Sequence, residues 1–296
     1  MLRPGSSLTA RRRREARTLP QTTIATSVEA SGVGLHSGRP ATVRLAPVPN
    51  GGRWIQDLDG RGAGAAIGCV RNDARATVIG LGSEVQVATV EHLLAALAAN
   101  GIDHVDMEVD GGEVPALDGS AAPFVVLLAE ARRVAAGGDD PLAWPFAVEE
   151  PIEVADGDRF VRAEPADAFG FRYEIDFEHP AIGRQAIEIP ELTPEIFAAD
   201  IAPARTFGFL EDLEALREVG LAGGASLSNT LVFDDTGVVN EGPLRFQDEC
   251  VRHKAIDLIG DLALLGALPR AFVTAHKAGH RLHHALVREI EARRSA

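Results

Sequence analysis

Two halves of this 296-residue chain run through the same order of structural signals, and that repetition limits the folds open to it. Each half begins with alternating apolar and polar runs that read as strands. Each then reaches an apolar helix that opens at a histidine, followed by one strand and a closing helix. In the first half these are Glu91-His92-Leu93-Leu94, the strand 105–109 and a helix from Ser120 to about residue 135. In the second they are Arg252-His253-Lys254-Ala255, the strand 272–274 and a helix from His280 to about residue 293. The repetition lies in the order of elements, since residue identity between the halves is low. It predicts an α+β fold of two similar domains, each a β-sheet with helices packed on one face. Together they form a layered sandwich with a cleft at the domain junction, where ligand sites favour forming.

The boundaries follow from punctuation. Residues 1–21 form a basic arm, read as disordered and solvated. Residues 22–136 form the first domain, 137–145 (Gly137-Gly138-Asp139-Asp140-Pro141 onward) a linker, and 146–296 the second domain. Six arginines and one glutamate lie before residue 21, so a net charge of −14 leaves about −19 on the remainder. A body that acidic does not suit nucleic acid, whose phosphates require neutralising cations. There is no apolar run of about 18 residues to span a bilayer, and no apolar core follows the arginines to make a secretory signal. Two cysteines, Cys69 and Cys250, do not make a disulfide framework and are compatible with a reducing compartment.

The second histidine helix is the densest in chemistry. His253, Asp257 and Asp261 are spaced by four and share one helical face. An imidazole and a carboxylate so placed can hold a metal ion, and a catalytic zinc takes three protein ligands and keeps one position open. The matching helix of the first half supplies a further histidine, His92, preceded by a carboxylate, Glu91, suited to accept a proton from water. Asp261 reads as a carboxylate supporting the site. His280, after Gly279 at a helix start, reads as a proton donor that needs a nearby carboxylate, for which Asp261 is the candidate. His276, His283 and His284 have no such context and read as surface residues. A lone helical His/Asp pair is more often a simple i,i+4 contact; the Glu91-His92 pair on the equivalent helix raises the metal reading above it.

With these residues assembled, the chain resembles the UDP-3-O-acyl-N-acetylglucosamine deacetylases, from about Thr22 to about Arg293. The resemblance is carried, in order, by Gly32-Val33-Gly34-Leu35-His36-Ser37-Gly38, Thr89-Val90-Glu91-His92-Leu93, Asp118-Gly119-Ser120-Ala121-Ala122-Pro123-Phe124 and Asp176-Phe177-Glu178-His179-Pro180. Ala204-Arg205-Thr206-Phe207-Gly208-Phe209, Leu244-Arg245-Phe246-Gln247-Asp248-Glu249 and Lys277-Ala278-Gly279-His280 complete it. It implies a cytoplasmic, monomeric enzyme of lipid A biosynthesis with one Zn2+ per chain. That enzyme removes the N-acetyl group of an acylated UDP-sugar in the committed step, releasing acetate. The implied ligands are His92, His253 and Asp257; Glu91 is the general base, His280 the general acid, Asp261 its support, and Thr206 the oxyanion donor. Lys254, Lys277, His36 and Phe177 match positions near the nucleotide sugar, and Phe207 and Phe209 face the substrate. A small βαβ insert near 209–232 is implied as the passage for the acyl chain, with Leu213, Leu216, Val219 and Leu221 as an apolar face. The alternatives are a zinc amidase acting on another N-acyl sugar, and a non-catalytic binder using the arm.

Overall fold

The computed structural model describes residues 21–72, 75–137 and 146–294. The basic arm up to residue 20 and nearly all of the expected linker, residues 138–145, lie outside them. The first half contributes β1 (Thr22–Ile24), β2 (Val28–Val33), β3 (Pro40–Ala46), β4 (Arg53–Gln56), β5 (Gly62–Gly64), β6 (Val70–Asn72), β7 (Val78–Gly80), β8 (Gln86–Val87), α1 (Glu91–Ala99), β9 (Val105–Asp110), α2 (Ala122–Ala131) and β10 (Arg133–Ala135). The second half contributes β11 (Ile152–Asp156), β12 (Arg159–Pro165), β13 (Gly170–Asp176), β14 (Arg184–Ile189), the single turn α3 (Pro194–Ile196), β15 (Phe207–Phe209), α4 (Leu213–Glu218), β16 (Leu231–Phe233), α5 (Glu249–Leu262), β17 (Ala271–His276) and α6 (His280–Arg294).

Each half builds a five-stranded sheet on one plan. The first runs β2-β3-β9-β4-β5 and the second β11-β12-β17-β13-β14. In both, two hairpins form first and the last strand enters between them, antiparallel to one hairpin and parallel to the other. A parallel neighbour needs a crossover, and α1 and α5 are the helices that precede those central strands. Central-strand residues point alternately inward: Val105, Met107 and Val109 in β9, and Ala271, Val273 and Ala275 in β17, are buried. The rest of the core is aromatic and aliphatic, with Tyr173, Phe124, Phe171, Phe197 and Phe233 almost fully buried, each stabilising by about 1.5–3 kcal/mol.

α1 is apolar all round, from Leu93 through Leu97, and is buried on all sides, as such a helix must be. It packs against α5, which in turn packs on β13 and β14 and against α6. α1 and α5 approach closely because α5 carries Gly260 where the backbones meet. A Cβ there would lie 2.1 Å from the Glu91 carbonyl oxygen.

Several expected boundaries move. The helix expected to run to residue 135 stops at Ala131, because Arg132 adopts φ +54 and residues 133–135 pair with β1 instead. Val90 occupies the N-cap position of α1 with no side-chain cap, and Thr89 before it sits at φ +58. His253 lies one turn inside α5, which starts at Glu249. After β16 the chain makes one isolated bridge, Phe233 to Val238. β15 and β16 pair in parallel around α4, but Val219 falls beyond α4 and is 72% exposed, so it belongs to no apolar face.

Candidate metal centre

The contact of α1 with α5 brings three donors together. His92 Nε2 lies 3.7 Å from Asp257 Oδ1, His253 Nε2 lies 3.5 Å from the same oxygen, and the two imidazoles stand edge to face at 4.9 Å. Zinc bonds of about 2.0–2.1 Å in tetrahedral geometry put neighbouring ligand atoms about 3.3–3.4 Å apart, so the donor set fits such an ion with little movement. The Nδ1–H of His253 points at the Ala204 carbonyl, 3.2 Å away, which leaves Nε2 as the lone-pair atom facing the other donors. Burial lowers the His253 pKa to about 3, although the Asp257 charge opposes it, so the ring is neutral as a ligand must be. Burial pushes the Asp257 carboxyl up, but the charges of Lys254 and His280 hold it well below the usual range. Lys254 donates from Nζ to Asp257 Oδ2 at 2.6 Å.

Glu91 and His280 face the same space. His280 Nε2 is 3.9 Å from both Glu91 Oε1 and Asp257 Oδ2. Glu91 is 3% exposed, and burial raises its pKa against the opposing charge of His280. Its Oε2 accepts from the Thr77 amide at 3.1 Å. Burial disfavours a charged His280, but the Asp261 and Asp257 charges outweigh it and lift the pKa to about 9. A carboxylate inclined to hold a proton and an imidazole inclined to keep one thus stand across one small volume.

Asp261 is the hub behind them and is wholly buried. Its Oδ2 accepts from Nδ1 of His280 at 2.7 Å and of His283 at 2.8 Å. Its Oδ1 accepts from the Thr77 hydroxyl at 2.5 Å and meets His284 Nε2 at 3.0 Å. His283 also meets the Tyr173 hydroxyl at 3.0 Å. The surface reading of these histidines is therefore overturned. His283 and His284 are fully buried, because i+3 and i+4 from His280 lie on the inner side of α6, beside Val287. His276 is partly buried on β17, with Nδ1 3.2 Å from Glu174 and its ring stacked on Phe160. The apolar spacing of α6 was the available signal for His283 and His284. Thr77, immediately before β7, offered none.

A cavity of about 710 Å3 opens over the donor set. The candidate ligands, Glu91, His280, Thr206 and Lys254 line it, as do His36, Phe177, Phe207 and Phe209. Leu210, Leu213, Leu216, Leu227, Val232 and Val239, from β15 through the segment after β16, add a long apolar wall. Two sequence candidates do not line it. Asp261 stands behind His280, and Lys277 is engaged by Asp158 at 3.0 Å and Asp176 at 3.4 Å. Arg75 and Arg217 line the cavity without having been singled out from the sequence.

The family profile of UDP-3-O-acyl N-acetylglycosamine deacetylases matches residues 21–292. A protein of Anaeromyxobacter sp. (strain Fw109-5) is 45% identical over 277 residues, covering 92% of this chain and 88% of its own length. One from Nostoc sp. (strain PCC 7120) is 46% identical over 281 residues, covering 93% and 99%. One from Histophilus somni (strain 129Pt) is 41% identical over 278 residues, covering 92% and 90%. All three carry the name UDP-3-O-acyl-N-acetylglucosamine deacetylase.

Proposed function

The chain belongs to the UDP-3-O-acyl N-acetylglycosamine deacetylase family, and on that premise we propose that it hydrolyses the N-acetyl group of UDP-3-O-acyl-N-acetylglucosamine with one zinc ion held by His92, His253 and Asp257. The products are acetate and the free amine, UDP-3-O-acyl-glucosamine, on the route to lipid A. The reading includes a cytoplasmic location and a single chain as the working unit. No helix among the described residues is long and apolar enough to cross a membrane.

The observation that carries the reading is the meeting of a metal-competent donor set with Glu91 and His280 across one cavity. When bound, a zinc ion supplies Lewis acidity toward water and carbonyl oxygen. Glu91 accepts the proton of the attacking water, and its raised pKa suits it to hold that proton. The Thr206 hydroxyl donates to the acetyl oxygen as charge gathers there, a contribution of roughly 3–4 kcal/mol for one such donor. His280, charged near neutral pH, gives the Nε2 proton to the sugar nitrogen as the C–N bond breaks, while Asp261 holds Nδ1. Lys254 keeps Asp257 ionised in a dry site. His36 and Phe177 border the sugar, with Phe207 and Phe209 beside the acyl chain. Lys277, drawn outward by two aspartates, meets the nucleotide at the rim.

The apolar wall favours an acylated substrate over another N-acyl sugar. The test is acetate release by zinc-loaded protein from the acylated UDP-sugar and from UDP-N-acetylglucosamine, with metal quantified. Equal rates on the two would favour the general amidase instead, and no release from either would end the proposal.

A further inference from the structure

Glu113 is a buried carboxylate that takes no part in the mechanism above. It is 2% exposed and does not line the cavity. Its Oε1 accepts from the His36 amide at 2.9 Å and the Thr89 hydroxyl at 2.7 Å. Its Oε2 accepts from the Ser37 amide at 2.8 Å. The loop is packed against it: a Cβ on Gly34 would lie 2.3 Å from Oε2, so a side chain there would displace the carboxylate. None of these three donors is a lysine or arginine. A carboxylate is the side chain that can accept all three and donate nothing back. A glutamine would turn its amide group against one of them.

Both ends of this contact lead to the site. Thr89 sits at φ +58, an outlier for a β-branched residue, and such strain persists only where surroundings enforce it. It stands two residues before Glu91 and three before His92, so its turn sets where α1 begins. On the other side, the His36 carbonyl accepts from the Gly223 amide at 2.9 Å and the Leu35 carbonyl from the Gly224 amide at 3.0 Å. Gly38, at φ +66, lies so close that a Cβ would meet the Gly223 carbonyl carbon at 2.9 Å. Gly223 and Gly224 belong to the segment joining α4 to β16, which also supplies Ala222 and Ala225 to the cavity wall.

We infer that Glu113 is a positioning residue for the deacetylation: its carboxylate locks the turn that aims Glu91 and His92 and the loop that seats the α4–β16 segment, keeping base and acyl wall in register. The inference rests on the deacetylase reading and adds to it a residue that touches neither substrate nor metal.

The experiment uses the full zinc-loaded chain. Glu113→Gln should lower kcat about 10- to 100-fold, the scale on which misplacement of about 1 Å acts. It should also raise KM for the acylated substrate more than for a short-acyl analogue, with metal content retained. Hydrogen exchange at residues 34–38 and 89–92 should speed up selectively. Thr89→Val, which removes the hydroxyl and keeps the branch, should reproduce the loss of kcat, and Thr89→Ser should recover most of it. Glu113→Gln with kcat and KM both within about twofold of wild type would overturn the inference, as would Thr89→Ser no better than Thr89→Val. If Glu113→Gln does not fold, the Thr89 pair decides alone. Glu91→Gln run in parallel separates the two levels. If it is inactive while Glu113→Gln is normal, only this inference fails; if it is active, the base assignment fails first.

Discussion

Gly260 and Glu91 meet backbone to backbone: a Cβ added to Gly260 would sit 2.1 Å from the Glu91 carbonyl oxygen. The neighbour is main chain and cannot swing aside, so α1 and α5 must separate to admit a methyl group. Gly260→Ala is expected to cost about 1–3 kcal/mol or more in urea unfolding. It should also weaken metal binding, because His92 rides on one helix and His253 and Asp257 on the other. An alanine variant with wild-type stability and metal content would show that the approach is not tight.

Glu91→Gln keeps the shape of the side chain and removes its ability to accept a proton. Turnover should fall about 10²- to 10⁴-fold, the usual contribution of a positioned acid or base. Metal content, read by atomic absorption, should stay near wild type because Glu91 is not a proposed ligand. His253→Ala should do the reverse and lose the metal.

His283→Leu should not behave as a surface substitution, which is usually within about 0.5 kcal/mol of neutral. The side chain is fully buried between Asp261 and the Tyr173 hydroxyl. Removing it leaves polar partners under-satisfied, a loss of about 1–3 kcal/mol. Chemical denaturation of the two proteins side by side checks this, and an unchanged midpoint would restore the surface reading.

Glu249 gives a pH signature away from the metal donors. Burial pushes its carboxyl up, but bonds from the Arg205 side chain and from the Arg205 and Arg245 amides prevail and hold it below the usual range. A depressed folded pKa contributes stability that is present above the unfolded value, about 4.3, and is lost as pH falls through the folded value. Wild type should therefore exceed Glu249→Gln in stability most at neutral pH, and the gap should close below about pH 4. Urea midpoints across that range test it, and a gap that widens in acid would contradict the sign.

The helical spacing of His253, Asp257 and Asp261, and the acid-histidine pair at the head of α1, were legible because period and face are local properties. So was the twofold order of elements, which the structure shows as two sheets with one strand plan. Long-range pairings were not legible. Thr77 reaches Asp261 across 184 positions, and Glu113 reaches His36 and Ser37 across 77 and 76. His283 and His284 read as surface residues because a histidine carries no mark of burial in itself; only the apolar spacing of Leu282, Leu286, Val287 and Ile290 along α6 marks the face they share.

The amino-acid sequence by itself determined which side chains share a helix face and which residue types could hold a metal or move a proton. Only the tertiary structure decided which faces meet. Gly260 lets two backbones touch, and burial then turns ordinary carboxylates and imidazoles into groups with shifted proton affinities. Those shifts depend on desolvation and on charges brought close by packing, neither of which is encoded in the spacing of residues along a chain.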